Sequence, residues 1–175
     1  DLLNPNSLGQ PAYNIELTAN HEAIWQAGDI AEIQPGNSPE RINAFLQEHH
    51  ILKNALVDSL QISIEKALWN KDLTGEIEPF ANLEHLLEQL PTLPTREYSI
   101  ASIPSQQVLR LVVRQQSDES GDLGLGSGWL TRHTEINQSI ALRIRTNESF
   151  HLIDDNRPII CMGNGTGIAG LMSLL

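Results

Sequence analysis

From Thr95 onward the sequence is a succession of short strand-like runs cut by polar and glycine-rich turns. "REYSIAS" (96–102), "QVLRLVVRQ" (107–115) and "QSIALRIRT" (138–146) are β-branched or alternating. Runs this short cannot bury a face alone, so they must pair with one another, and the spacing predicts an antiparallel barrel. Two upstream runs belong with them: Ala12 to Leu17, and Ile30 to Ile33 after the Gly28-Asp29 turn.

The stretch between is different. Ser38-Pro39-Glu40 is a helix start, a capping hydroxyl followed by a proline where no donor is needed. Ile42, Phe45, Leu46 and His49 give that helix one apolar face, and His49-His50 mark its end. "ILKNALVDSLQIS" reads as one or two strands. Ser63 is expected to cap a short helix through Trp69, and Asn82 to cap another that stops at Pro91. Residues 38–90 are thus expected to form a small helical insert without clustered chemistry. Asp154-Asp155 reads as a turn.

Charge narrows the partners. Residues 1–95 carry fourteen acids and four bases, whereas residues 96–175 carry eight acids and seven bases, all arginine. A net charge of −11 argues against nucleic acid or an anionic membrane, because binding a phosphate backbone needs a dense basic face. Arginines in a nearly neutral region suit a few specific anionic groups. One cysteine, Cys161, excludes an internal disulfide framework and a cysteine-rich zinc site. No metal site is expected. No run spans a bilayer, and a cytoplasmic setting is expected, with any membrane tether outside these residues.

Three segments carry chemistry. "GLGSGWLTRH" (124–133) combines glycines that admit a ligand to the backbone with an expected N-cap at Ser127 and a helix from Trp129 to His133. Amides converging at a helix start bind phosphate. The alternative there is a flexible hairpin turn. "TREYSIAS" offers a charged fork, a stacking ring and a hydroxyl in Arg96, Tyr98 and Ser99. Alternation puts Arg96 and Tyr98 on one face and Ser99 on the other. The last segment, "PIICMGNGTGIAG" (158–170), reads as a strand, Ile159 to Met162, and then a G-x-G-x-x-G turn. Cys161 is read as a packing residue of that strand.

In this order and spacing the segments resemble the FAD-binding part of the ferredoxin–NADP reductase superfamily, of the diflavin reductase type, such as the sulfite reductase flavoprotein. The resemblance rests on R-x-Y-S-I-A-S at Arg96 to Ser102, G-x-x-S/T-x-x-L at Gly124 to Leu130, and G-x-G-T-G-I/V-A at Gly163 to Ala169. "WQAGDIAEIQPGN" and Phe150-His151-Leu152 add to it. It implies a Greek-key antiparallel FAD-binding barrel over 1–150, with the insert at 38–90, and the first β-α step of an NADP-binding domain over 151–175.

It further implies that Arg96 pairs with the FAD pyrophosphate, that Tyr98 stacks along the flavin or ribityl chain, and that Ser99 lies near the ring nitrogen accepting hydride. Backbone groups of Leu111, Val112 and Val113 would hold the flavin edge. Gly124, Leu125, Gly126 and Ser127 would cradle the pyrophosphate, and Gly163, Gly165, Thr166 and Gly167 would meet NADPH. Asn164 and Gly170 stand where the family has prolines, so that turn is expected to be looser. Electrons would leave to FMN in a flavodoxin domain outside these residues, or to a haem or iron–sulfur acceptor. Alone, the chain is expected to bind FAD but turn over NADPH poorly. The alternative from another class is a non-catalytic anion-binding or scaffold barrel.

Overall fold

The computed structural model describes residues 1–19, 23–153, 155 and 157–175. Asp154 of the expected Asp154-Asp155 turn lies outside them. In chain order the elements are β1 (Ala12–Leu17), β2 (Ile30–Ile33), α1 (Pro39–Glu48), β3 (Leu56–Val57), β4 (Ile62–Ser63), α2 (Ile64–Ala67), α3 (Leu83–Gln89), β5 (Arg96–Ser99), β6 (Leu109–Arg114), α4 (Leu125–Gly128), β7 (Leu142–Arg145) and α5 (Ile168–Met172). They divide into two compact units, one made of Asp1–Ile33 with Arg96–Leu175 and the other of Gln34–Thr95.

The first unit is antiparallel β. β2 pairs with β5 on one side and β7 on the other, while β1 pairs with β6. The two ladders meet at a corner, where Ile100 bridges Leu111 and the Ala101 N–H donates to the Arg110 carbonyl at 2.8 Å. The strand order is therefore β7-β2-β5-β6-β1. Strands β2, β5 and β6 are successive neighbours and β7 returns beside β2, which is the Greek-key arrangement. No ladder joins β1 to β7 among the described residues. Ala31, Ile33, Ile100, Leu109, Leu111 and Val113 are buried from these strands, following the two-residue alternation of the pleat.

A charged row crosses the three-stranded sheet. Glu32 on β2 stands opposite Glu97 on β5 and opposite Arg143 on β7. Two like charges facing each other across a ladder repel. Arginines offset this: Arg143 Nε lies 2.7 Å from Glu32, and Arg145 reaches Glu32 at 3.0 Å and Glu97 at 2.8 Å.

The second unit is built on caps and an apolar cluster. Ser38 Oγ accepts from the Arg41 N–H at 3.2 Å and Asn82 Oδ1 from the His85 N–H at 2.9 Å, fixing the starts of α1 and α3. Ile42, Phe45 and Leu46 of α1 pack with Leu86 and Leu87 of α3, with Val57, Ile64 and Leu68 between. Ser63 makes no side-chain cap, and α2 ends at Ala67 rather than at Trp69.

Two local expectations are corrected. Ser127 is not an N-cap: α4 starts at Leu125 and Gly124 precedes it, while the short helix expected at Trp129–His133 is present with those bounds, as a π-helical turn. Ile159 to Met162 form no strand. Ile160 and Met162 are exposed, and so is Cys161, which packs against no sheet. A parallel strand needs neighbours to hydrogen-bond with, and no described strand pairs with this run. Among the described residues no helix is long and apolar enough to cross a membrane, and no group of His, Cys, Asp and Glu is placed to hold a metal.

Candidate functional site

The alternation of β5 puts Arg96 and Tyr98 on the same face, toward the start of α4. An added β-carbon on Gly126 would stand 2.5 Å from Arg96 Cγ and 3.2 Å from Tyr98 Oη. The arginine stem and the phenol tip therefore lie directly on the backbone of the glycine turn, and only glycine fits between them. Burial raises the Tyr98 pKa, an effect that the nearby Arg96 charge partly offsets, so the phenol is neutral at physiological pH. Ser127 has another use than capping: its Oγ accepts from the Gln116 N–H at 2.9 Å, and the Gly124 N–H donates to the Gln116 carbonyl at 2.9 Å. These two bonds fasten α4 to the strand exit after β6.

The result is a cleft of about 430 Å³ lined by Arg96, Tyr98, Val112, Arg114, Gln116, Gly124 to Ser127 and Thr166, with Glu97 at its side. The first amides of α4 start here and have no intrahelical acceptor. Arg114 ends β6 on the same strand face as Val112. Its Nη2 lies 2.7 Å from where a β-carbon on Gly165 would stand, and Gly165 has φ +57°. The glycine turn at 163–167 thus reaches the cleft through Arg114 and Thr166.

Charge pairing separates these arginines from most of the others. Arg110, Arg143, Arg145 and Arg157 each have a carboxylate partner. Arg96 and Arg114 have none among the described residues. In a chain of net charge −11, two guanidinium groups in one cleft without a carboxylate partner, the cleft's Glu97 being paired with Arg145, have the chemistry to meet an external anion.

The structure does not bring every expected residue here. Leu111 and Val113 are buried inside the barrel, and only Val112 of that trio lines the cleft. Ser99 is exposed on the opposite strand face, its Cβ 3.4 Å from a β-carbon position on Gly170. Gly163 folds back on Ile168 and Leu171, and Gly167 has open space around it. Arg114 was the residue missed. Its signal was the register of β6, in which a residue two past Val112 must share its face.

No family model matches the chain. The NADPH sulfite reductase flavoprotein alpha-component of Vibrio vulnificus is 34% identical over 110 residues, 59% of this chain and 18% of that protein. The counterpart from Photobacterium profundum is 32% identical across 92% of this chain and 35% of that protein. NADPH oxidoreductase A of Dictyostelium discoideum is 29% identical over 80% of the chain and 20% of its own length. Among solved structures, a mutant ferredoxin-NADP+ reductase from Plasmodium falciparum with 2'P-AMP superposes with a TM-score of 0.59 at 20% identity, covering 99% of this chain and 47% of that one. The chain is similar to sulfite reductase flavoproteins over most of its length, and it shares its fold with a ferredoxin-NADP+ reductase. It spans roughly a fifth to a third of the curated relatives' length. The Arg96–Tyr98–Gly126 contact is the part of this fold that shapes the cleft.

Proposed function

We propose that this chain is the FAD-binding module of an NADPH-dependent flavoprotein oxidoreductase. The observation that carries the reading is the pairless Arg96 and Arg114 beside the glycine-floored start of α4. A diphosphate needs convergent amides and cations together, and both are present in one cleft. Arg96 would clasp the pyrophosphate with the amides of Leu125 and Gly126. Tyr98, a neutral and half-buried ring, offers the flat partner that a flavin or ribityl chain requires. When bound, FAD supplies the chemistry, accepting a hydride and releasing electrons singly.

The chain's own contribution is binding, orientation and exclusion of water. Residues 1–150 would form the FAD module, with the insert at 38–90, and 151–175 would open the part that meets NADPH, through Gly163, Gly165, Thr166 and Gly167. Arg114 stands at the boundary and would screen the phosphates of both nucleotides. Ser99, on the far face of β5, would lie at the hydride-accepting edge, with the flavin passing around the strand end. The names of the relatives support NADPH as electron source. FMN in a flavodoxin domain, or a haem or iron–sulfur protein, would be the acceptor. A cytoplasmic setting suits a chain with one cysteine.

Titration with FAD, read by flavin absorbance, tests this. One flavin per chain is expected, with Arg96→Ala weakening it. A protein that stays colourless with added FAD would instead be an anion-binding scaffold barrel.

A further inference from the structure

The turn before β2 holds more than the strand it opens. Gly28, at φ +98°, leaves no room for a side chain: a β-carbon there would stand 2.9 Å from the Phe150 carbonyl oxygen and 3.3 Å from His151 Cδ2. Its N–H donates to Ser173 Oγ at 3.0 Å, and that hydroxyl donates to the Gly170 carbonyl at 2.8 Å. Its carbonyl accepts from Asn147 Nδ2 at 3.1 Å. Next to it the Asp29 carboxylate takes the Gln26 N–H at 2.8 Å, the Asn147 N–H at 3.1 Å and His151 Nε2 at 2.7 Å.

Three segments distant in sequence therefore converge on two residues: the end of β7 at Asn147, the strap at Phe150–His151, and the end of α5 at Ser173. Asp29 and Ser173 are almost wholly buried, so each bond is shielded from competing water. Breaking one leaves a polar group without a partner.

What this junction positions is specific. α5 begins where the glycine turn ends, and Gly170 within it meets both the Phe150 ring at 3.1 Å and Ser99 at 3.4 Å, measured from a β-carbon position. We propose that Asp29, His151 and Ser173 form a latch that sets the glycine turn and α5 against the Ser99 edge of β5. Asp29 is then a positioning residue for the flavin edge, acting through His151 and Gly28. The proposal rests on the FAD reading for its flavin part and on the junction alone for its mechanical part.

Amide hydrogen exchange on the chain, alongside FAD absorbance, tests both parts. Ser173→Ala and His151→Ala should each speed exchange across 163–172 by at least tenfold, while 109–114 in the β1–β6 ladder stays unchanged. His151→Gln keeps an N–H for Asp29 and should restore protection. With FAD bound, the visible flavin band should move in the two alanine variants and return in His151→Gln, at unchanged stoichiometry. Unchanged exchange across 163–172 in both alanine variants overturns the latch. Faster exchange with an unmoved flavin band overturns the positioning role. A wild-type chain that takes up no FAD overturns the flavin reading and with it the positioning role, and the exchange arm then judges the latch by itself.

Discussion

Arg114 and Gly165 are in direct contact: the guanidinium lies where a side chain on Gly165 would have to begin. A strand-end cation and a glycine turn fifty-one residues later share one cleft wall. This contact joins two segments that the sequence keeps apart.

Arg114→Ala should leave the fold within about 0.5 kcal/mol of wild type, because among the described residues the Arg114 side chain makes no hydrogen bond or ion pair whose loss would strand a partner. It should weaken dinucleotide binding about tenfold or more, the worth of a charge-assisted hydrogen bond. Chemical denaturation and a flavin titration on the same samples separate the two effects. Equal affinity would remove Arg114 from the site.

Arg96→Ala should cost ~1.5–3 kcal/mol of FAD binding. Gly126→Ala should mimic it without touching the charge, because its β-carbon would displace the Arg96 stem. Flavin titration should show both variants weakened with far-UV circular dichroism unchanged. An unaffected Gly126→Ala would mean that Arg96 does not work from its observed position.

Glu32→Gln removes the acid between Arg143 and Arg145. Loss of a buried partner costs about 3–5 kcal/mol, but Arg143 is 77% exposed and Arg145 39%. Solvent therefore screens most of that, and about 1–2 kcal/mol is expected. The urea midpoint should fall accordingly.

Acid should weaken the junction at Gly28-Asp29. Burial pushes the Asp29 carboxyl pKa up, but hydrogen bonds from Gln26, His151 and Asn147 together outweigh it and hold the pKa below the ordinary aspartate value. A lowered folded-state pKa means stability that is present above the unfolded value and lost as pH falls through the folded one. Asp72, held down by hydrogen bonds from Thr74, adds to the same limb. Denaturation midpoints measured below about pH 4 should drop, and Asp29→Asn should flatten that limb.

What could be read from the sequence was whatever is decided locally. Ser38 and Asn82 cap their helices because an N-cap needs only the next three residues. The face shared by Arg96 and Tyr98 followed from the pleat. Ile159 to Met162 misled because an apolar run has the composition of a strand whether or not partners exist to pair with it. Ser127 misled because a hydroxyl near a helix start has other acceptor roles, here toward Gln116. The face that Arg114 shares with Val112 is local to β6, but its meeting with Gly165 and the Asp29 junction depend on contacts across more than fifty residues, which no short window of sequence contains.

One rung of the barrel has a wider consequence. Ile33 and Arg96 stand directly opposite each other on β2 and β5, so all of Gln34–Thr95 leaves and re-enters the barrel through a single ladder position. Loop-closure entropy grows only slowly with length, so lengthening the cassette between these two doorway residues costs little in closure entropy. Lengthening, shrinking or exchanging that cassette would leave the strand order fixed. The residue at the doorway's exit is Arg96 itself, so any remodelling of the cassette ends at the cation of the cleft.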